Sequence, residues 1–513
     1  MNTQSPRVLL ELAVESLLRD KALVTEALGY LPRELFPPVF MKAFTKRRTD
    51  VVKAMVQSWP FLSLPLGSLM SMDRPGKRML QAVLRGLDVL LKQKVCSRKL
   101  KLQVLDMWAV HQYFWRVWPE NKLEDYTIKW SRTEKTGPRV PNKRILKIIV
   151  DLWIDFEPVD QLMSFLLQWV QEKEGLVQLD CPSVHISVTD VDITGILQML
   201  NLEHVHEVDV DLGWKIFAFA QFAPFLGQMK NLCKLTFCGI DLPASMSSEK
   251  RQKLVTEITS ELLKLHFLRE VFIDHVNFIE DHLDQVLRCL TSPLEALSVT
   301  DCLLSPSDWN LLSCSEQIRQ LEYLNLSCTR LTSFSLEPLQ HLLSNVSATL
   351  TILNLENCGI TDEQVCAFLP SLSSCSQLIT FCFIRNFMSM CTMKNLLCHT
   401  ARLRKLTLEM YSLPQDVYVI RNDAHPSISI KIQEKELWNT GQRQGPLEPE
   451  QTEPGSVAAI CHQARGPVAF WVMCKLGGED RTPESPSSYA EIIKYTTPLP
   501  EAEVENVPAV PVE

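Results

Sequence analysis

The sequence lacks any continuous run of about 18 apolar residues, so no membrane-spanning helix is expected. Its N-terminal leucines are interrupted by Glu11, Glu15 and Arg19, which the apolar core of a secretory signal does not tolerate. None of the 16 cysteines falls in a C-x-x-C pair, and without a signal segment they are expected to stay reduced. These absences favour a protein of the cytoplasm and nucleus.

Catalytic signatures are also missing: the chain contains no P-loop, G-x-G-x-x-G, H-E-x-x-H or G-x-S-x-G motif and no Cys/His ligand cluster. The pairs Asp190-x-Asp192 and Asp209-x-Asp211 resemble pieces of a calcium loop but lack its glycine and terminal glutamate. We therefore expect no catalysis, no metal and no cofactor.

What the chain does contain is a recurrent frame, L-x-x-L-x-L-x-x-(polar)-x-L. One copy reads Leu321-x-x-Leu324-x-Leu326-x-x-Thr329-x-Leu331. Strong copies begin at Leu294, Leu321, Leu350 and Leu378, and weaker ones at Leu102, Leu176, Val205, Leu232, Leu268 and Leu403. Most starts from Leu176 onward are 25 to 29 residues apart, which is the period of strand-plus-helix repeats.

The frame predicts an α/β leucine-rich-repeat solenoid. Alternating apolar residues bury one face of a short strand, and the polar ninth residue can bond the backbone where the chain turns. A single repeat cannot bury its own apolar face, so repeats stack into a curved parallel sheet with helices on the convex side. We expect an N-terminal helical cap over residues 1–100, the solenoid over 101–413, and a divergent, largely disordered tail over 414–513.

Charge is distributed unevenly along the chain. Residues 1–147 hold 27 Lys and Arg against 13 Asp and Glu, a balance of +14, so the net charge of −8 leaves −22 for the remainder. A basic insertion at about 129–147, broken by Gly137, Pro138 and Pro141, is expected to be an exposed loop. It is either a solvated loop or a nuclear-import or nucleic-acid patch; the acidic body argues against direct nucleic-acid binding.

The third, fifth and seventh positions of each frame point to the concave face. This rule selects candidate partner-binding residues, namely Glu207, Asp209, Asp211, Glu270, Phe272, Asp274, Tyr323, Asn325, Asn354 and Glu356. The N-terminal half of the surface is acidic, which suits a basic partner segment. The alternative is that these are solvated strand residues without a partner.

Several blocks outside the repeat frame resemble one family. They include Leu9–Leu23 (L-L-E-L-A-V-E-S-L-L-R-D-K-A-L), Leu31–Phe40 (L-P-R-E-L-F-P-P-V-F), Lys53–Phe61 (K-A-M-V-Q-S-W-P-F) and Phe225–Leu232 (F-L-G-Q-M-K-N-L). These blocks, spread over about residues 7 to 413, are similar to the PRAME family, the preferentially expressed antigen in melanoma and its relatives.

The resemblance implies a substrate-recognition subunit of a cullin-2 RING ubiquitin ligase, held through elongins B and C. The elongin-binding box falls on Val8, Leu9, Ala13 and Leu17, and the cullin-binding box on Leu31, Pro32, Leu35 and Val39. The pair Pro37-Pro38 is expected to interrupt a single helix across the second box. In the alternative interpretation, these helices only cap the solenoid and the protein is a ligase-independent scaffold or corepressor.

The family also implies repression of retinoic-acid-receptor transcription, with effects on apoptosis, differentiation and proliferation. Two L-x-x-L-L segments fit such a role, Leu87-x-x-Leu90-Leu91 and Leu339-x-x-Leu342-Leu343. Both lie on apolar helical stretches, so we expect them to pack in the core.

Overall fold

The computed structural model describes most of the chain between Leu9 and Ser412, together with short segments beyond it. The described residues are 9–67, 69–70, 77–92, 101–108, 115, 145–154, 161–187, 193–211, 213–243, 245–386, 388–412, 414, 418–420, 428–430, 457–462 and 470–475.

The N-terminal region is helical, as predicted. Its helices are α1 (Leu9–Leu17), α2 (Lys21–Ala27), a 3-10 turn (Arg33–Leu35), α3 (Phe36–Thr45), α4 (Thr49–Gln57) and α5 (Lys77–Lys92). An aromatic cluster holds them together, with the Trp59 ring centroid 5.2 Å from that of Phe40 and Trp115 stacked on Phe40 at 5.8 Å. Helices α4 and α5 cross so closely at Gly86 that a Cβ atom there would lie 2.8 Å from the Cβ of Val56.

Strand β1 (Ser63–Pro65) also lies in this region and pairs in parallel with β2 (Val104–Asp106). The solenoid sheet therefore begins inside the segment 1–100, earlier than the predicted boundary at residue 101. The reason is that Leu64 is fully buried and occupies a core position of the sheet although it belongs to no complete frame.

Two sheets carry the repeats. The first has four parallel strands in the order β1-β2-β3-β5, where β3 is Leu146–Ile149 and β5 is Val177–Asp180. The second has twelve strands and begins β4-β6-β7-β9-β11-β12-β13-β14-β15-β16, all parallel. Its strands are β4 (Leu152–Ile154), β6 (Ser183–Ile186), β7 (Glu207–Val210), β9 (Lys234–Cys238), β11 (Glu270–Asp274), β12 (Ala296–Thr300), β13 (Tyr323–Asn325), β14 (Ile352–Asn354), β15 (Thr380–Phe383) and β16 (Leu408–Ser412). A separate short pair joins β8 (Trp214–Lys215) to β10 (Ile240–Asp241).

The strand register confirms the repeat frame from Val205 to Leu378. The third position of each frame pairs with the third position of the next, in the ladder Glu207, Lys234, Glu270, Ala296, Tyr323, Ile352 and Thr380. Fourth and sixth positions such as Leu324 and Leu326 are fully buried. A parallel stack with this burial is the predicted leucine-rich-repeat solenoid.

The ninth residue of the frame bonds the backbone of the preceding repeat, as expected. Thr329 Oγ1 donates to the Val299 carbonyl at 2.9 Å, and Asn386 Nδ2 donates to the Leu355 carbonyl at 2.6 Å. Cys358 Sγ contacts the equivalent carbonyl of the preceding repeat at 3.1 Å. Burial raises the pKa of the ninth-position thiol of Cys302 to about 12, so these cysteines are packing residues rather than nucleophiles.

The helices between strands form the outer layer. They are α6 (Gln161–Gln171), α7 (Ile193–Met199), α8 (Ile216–Leu226), α9 (Ser248–Leu262), α10 (Leu283–Cys289), α11 (Pro306–Cys314), α12 (Glu337–Asn345), α13 (Asp362–Ser373) and α14 (Met390–Thr400), with 3-10 turns at Leu202–His204, Asn277–Ile279 and Glu316–Ile318. Capping boxes at Ser305 and Thr361 begin α11 and α13. Each box satisfies N–H groups that a helix start leaves unpaired.

The chain bends after β3 and again after β5, and each bend places a second strand in the other sheet. The frame at Leu176 therefore belongs to the four-stranded sheet, and the strand that pairs with β7 is β6, whose buried residues are Val184 and Ile186.

Strand β3 begins at Leu146, so the last two residues of the basic insertion predicted at about 129–147 are part of the sheet. Its residues 129–144 lie outside the described part of the chain.

The prediction of a frame starting at Leu403 is wrong by three residues. Thr380 pairs with Leu408 and Phe381 with Glu409, so Leu406 takes the first position and the core positions fall on Glu409 and Tyr411. Both side chains are buried, and Glu409 accepts hydrogen bonds from Tyr411 at 2.7 Å and Thr400 at 2.9 Å. A buried carboxylate stands where the pattern calls for leucine, and the hydrogen bonds satisfy it.

Two further strands cover the edge of the last repeat. Strand β20 (Phe470–Lys475) pairs antiparallel with β16, and β19 (Val457–His462) pairs antiparallel with β20. A hairpin of β17 (Tyr418–Ile420) and β18 (Ile428–Ile430) lies between β16 and β19 in the chain. Since most of residues 414–513 lie outside the described part, the disordered tail stays a prediction for them.

Candidate protein-binding surfaces

Helix α1 presents an apolar face that nothing in the described part of the chain covers. Val14 and Leu18 are buried against the neighbouring helices, whereas Leu9 is 80% and Leu12 46% exposed. Ala13 is exposed beside them, and Leu17 is half-buried. Val8, the first residue of the predicted elongin box, lies outside the described residues. The box residues Leu9, Ala13 and Leu17 thus follow one side of the helix at four-residue spacing.

Ion pairs fix the orientation of α1. The Glu15 carboxylate lies 3.1 Å from the ammonium of Lys42 on α3 and 3.3 Å from that of Lys46, the residue after α3. Hydrogen bonds from Lys42 and Lys46 lower the pKa of Glu15. Arg48 adds a hydrogen bond to the Leu18 carbonyl at 2.6 Å. These contacts hold α1 at its C-terminal end, and the face that carries Leu9 remains turned to solvent.

The segment predicted as the cullin box divides into an accessible and a buried part. Pro32 is exposed, and Leu31 and Leu35 are half-buried. Val39 is 1% exposed and lies in the core, so it is not available to a partner. As expected, the proline pair interrupts the segment: the 3-10 turn ends at Leu35, and α3 begins with both prolines in its first turn.

The two L-x-x-L-L segments pack as expected. On α12, Leu339, Leu342 and Leu343 are all at most 1% exposed. On α5, Leu87 is 1% exposed, and Leu90 and Leu91 pack half-buried against the core. Neither segment presents its leucines to a receptor groove in this structure.

The predicted concave residues alternate with buried ones along their strands. All ten are exposed or half-buried, whereas Val208, Val271, Leu324 and Leu353 between them are buried. The rings of Phe272 and Tyr323 approach to 5.9 Å across β12. Asn325 and Asn354 accept hydrogen bonds from the backbone two residues on, at 3.0 and 2.9 Å. The two asparagines thus shape the turn after their strands.

The concave surface is not uniform along the sheet. At its C-terminal end, Thr380 and Cys382 occupy concave positions yet are 1% and 4% exposed. Nearby, burial raises the pKa of Glu356, and Arg385, 3.7 Å away, opposes that shift. The face is therefore closed to a partner at β15 and accessible along β7, β11, β13 and β14.

Sequence reasoning missed two residues at the N-terminal edge of this face, Trp153 and His185. Both are at the fifth position of frames that directly follow the bends after β3 and β5. These frames are Ile149-x-x-Leu152-x-Ile154 and Cys181-x-x-Val184-x-Ile186. Trp153 is 56% exposed, and its ring centroid lies 4.5 Å from that of His185. A search that allowed isoleucine and cysteine at leucine positions would have found both frames.

His185 joins two polar side chains. Its Nδ1 lies 3.0 Å from Asp209 Oδ2, and its Nε2 lies 3.0 Å from Ser187 Oγ. This Ser-His-Asp connectivity is that of a hydrolytic triad. Ser187 is only 7% exposed, however, so its hydroxyl is covered and the arrangement favours a positioning role.

A half-buried acid, Asp151, lies where the chain passes from one sheet to the other. Burial and the nearby Glu207 charge raise the pKa of Asp151 to about 6. Its Oδ1 atom is buried and has no hydrogen-bond partner in the described part of the chain. The charged form of Asp151 is therefore disfavoured in the folded protein.

Two kinds of feature are absent from the described residues. They contain no group of three or more His, Cys, Asp or Glu side chains placed to hold a metal ion. In the same residues, every helix is too short or too polar to cross a bilayer.

The fold and these surfaces define a leucine-rich-repeat protein with faces suited to binding other proteins. The chain matches the model of the PRAME N-terminal domain over residues 5–115 and that of the PRAME C-terminal domain over residues 146–434. It belongs to the PRAME family, as the sequence resemblance implied.

Human relatives support this assignment. The chain is 44% identical to human PRAME family member 20 over 425 residues, covering 82% of this chain and 89% of the relative. It is also 44% identical to human PRAME family member 12 over 420 residues, covering 82% and 86%. The solved leucine-rich repeat-containing protein LegL7 from Legionella pneumophila aligns over 52% of this chain and 91% of its own, at 16% identity and a TM-score of 0.27. The repeat fold of this chain is shown by its strand register.

Proposed function

We propose that this protein is the substrate-recognition subunit of a cullin-2 RING ubiquitin ligase, with α1 as the site that binds elongin C of the elongin B/C pair. The single observation that carries the proposal is the exposed apolar face of α1. A leucine that is 80% exposed next to an exposed alanine is costly in water and suits insertion into a groove. In a helix that only caps the solenoid, Leu9 would instead face the core.

The chemistry of α1 fits a closely approaching partner helix. Leu9 provides the inserted side chain, and the small side chain of Ala13 leaves room for the partner's backbone. Leu17, one turn further on, is half-buried and extends the same stripe. The ion pairs of Glu15 with α3 pre-orient the helix, which lowers the entropy cost of binding.

We place the cullin contact on Leu31, Pro32 and Leu35 and leave out Val39. The first three residues lie in the turn before α3 and reach the surface. Val39 belongs to the core. Cullin-2 contact therefore uses a shorter segment than the sequence box suggests.

The concave face takes the remaining role, the capture of a protein substrate or transcription factor. The protein itself catalyses nothing in this proposal, since ubiquitin transfer belongs to the other subunits. The proposed locations are the cytoplasm and nucleus. Effects on transcription, apoptosis, differentiation and proliferation then follow from the proteins that the receptor captures.

The test is co-purification of the full-length chain with elongins B and C and cullin-2. Leu9→Asp is expected to abolish elongin binding, because a carboxylate cannot enter an apolar groove without a partner charge. Leu23→Asp is the matched control: Leu23 is a 50% exposed leucine on the neighbouring helix α2. Leu35→Asp is expected to keep the elongins and lose cullin-2.

Two results would refute the ligase role. One is that the wild-type chain retains no elongin under conditions in which an established receptor does. The other is that Leu9→Asp and Leu23→Asp bind elongin equally well. Either result favours the second candidate, a ligase-independent scaffold or corepressor whose N-terminal helices only cap the solenoid.

A further inference from the structure

The N-terminal edge of the concave face combines an exposed tryptophan with carboxylates on the next strands. Trp153 on β4 is 56% exposed and pairs in register with His185 on β6, which pairs with Asp209 on β7. His185 Nε2 also lies 4.0 Å from Asp211 Oδ2. One histidine therefore links an indole face to two acidic side chains.

The charge of the adjoining strands is strongly one-sided. The third, fifth and seventh frame positions at β7, β9 and β11 hold five acidic residues and one lysine, a net charge of −4; they are Glu207, Asp209, Asp211, Lys234, Thr236, Cys238, Glu270, Phe272 and Asp274. The lysine ammonium lies 5.4 Å from the centroid of the Phe272 ring. This face consequently attracts cations and already accommodates one on an aromatic ring.

The carboxylates nearest Trp153 are accessible to a partner. The side chains of Asp209 and Asp211 are 44% and 40% exposed. His185, only 14% exposed, fixes the Asp209 carboxylate from below through the 3.0 Å contact. Both carboxylates therefore reach the solvent beside Trp153, where a partner can contact them.

We propose that this edge of the sheet face binds an arginine side chain on an extended segment of a partner protein. A guanidinium group is planar, stacks on indole and forks its N–H donors between carboxylate oxygens, so it can use Trp153, Asp209 and Asp211 together. A lysine ammonium is a point charge and uses the same set less well. Thr380 and Cys382 are buried, so the same face is not accessible at β15.

The partner is a protein to be ubiquitylated only if the proposed function is correct, whereas the binding of arginine needs no ligase subunit. The ligand is a peptide because the face is a negatively charged sheet surface. A nucleic acid would bring like charge to it.

The experiment starts with selection of a displayed library of random nonapeptides on the purified full-length chain. Enriched peptides are synthesised with arginine, with lysine and with citrulline at the enriched position, and binding is measured by fluorescence anisotropy. Arginine is expected to be enriched. Citrulline, which has the same shape without the charge, is expected to weaken binding at least about tenfold.

Variants locate the site. Trp153→Ala is expected to weaken binding about 5- to 30-fold, and Asp209→Asn with Asp211→Asn to abolish the preference for arginine over citrulline. Phe217→Ala is the aromatic control, because Phe217 is 47% exposed on the outer helix α8. Glu316→Gln controls for charge, because the Glu316 side chain is 80% exposed in the outer layer.

Three results would overturn the proposal: no enrichment of arginine, equal binding of the arginine and citrulline peptides, or unchanged affinity in Trp153→Ala and the double variant. Circular dichroism spectra and urea-unfolding midpoints equal to those of the wild-type chain show that these variants are folded. Conversely, Leu9→Asp is expected to leave peptide affinity unchanged, so failure of the arginine site and failure of the ligase role are separable.

Discussion

Replacing Asn386 by alanine tests the hydrogen-bond ladder that joins one repeat to the next. Asn386 is fully buried; its amide donates to the Leu355 carbonyl at 2.6 Å, and its Oδ1 accepts from the amides of Cys358 at 3.1 Å and Ile360 at 3.2 Å. Alanine leaves three buried backbone groups without these partners, at about 1 to 3 kcal/mol each. We expect a loss of about 3 to 5 kcal/mol in unfolding free energy, in the lower part of the summed range, because water can enter the vacated space.

The assay is urea-induced unfolding followed by circular dichroism, together with hydrogen exchange at the Cys358 and Ile360 amides. Exchange is informative because repeats contact mainly their neighbours, so damage is expected to stay local. Asn310→Ala on α11, an exposed asparagine, is the control and should change stability by less than about 0.5 kcal/mol. A loss below about 1 kcal/mol in Asn386→Ala, with unchanged exchange at both amides, would contradict the account of the ninth position.

Three further predictions concern other parts of the fold. Leu342→Ala should cost about 2 to 5 kcal/mol in urea unfolding, because it opens a cavity at a fully packed position; a loss under about 1 kcal/mol would argue that this L-x-x-L-L segment is accessible. Folding raises the pKa of Asp151 from 3.8 to about 6, so its contribution to stability is fully present below pH 3.8 and is lost as pH rises through about 6. Asp151→Asn should therefore raise the melting temperature at pH 7.5, with a smaller gain at pH 4.5, whereas an equal gain at both values would contradict the shift. Deleting residues 457–475 removes β19 and β20 and leaves an edge of β16 unpaired, so light scattering should show concentration-dependent association; a monodisperse deletion variant would show that the edge is protected in another way.

The candidate sites show where local pattern stops being informative. The spacing of Leu9 and Ala13 placed both on one face of a helix, because that spacing follows from helix geometry alone. The same reasoning grouped Leu35 with Val39, yet Val39 is buried. The turn that ends at Leu35 breaks the helical phase between them, and only the packing of α3 decides which side of that helix meets the core.

The concave face shows a similar division. Alternation along β7, β11, β13 and β14 identified exposed positions correctly, since side chains of a strand point to opposite faces in turn. The repeat frame did not identify Trp153, because the chain bends after β3 and the residues that follow the bend join a different sheet. His185 and Asp209 belong to two different repeats, so the pattern within one repeat does not predict their contact.

The sequence by itself determined the repeat architecture. Apolar residues recur at every second position along each strand, and a new strand begins about every 27 residues, so the leucines are buried only when the repeats stack. Tertiary structure decided the ends of the solenoid. The leucine pattern favours a register that starts at Leu403, whereas the register adopted starts at Leu406 and is accompanied by the hydrogen bonds of Glu409 with Thr400 and Tyr411. Strand β20 reaches β16 from about 60 residues further along the chain; such a pairing depends on the exposed edge that the finished sheet presents, which no local pattern encodes.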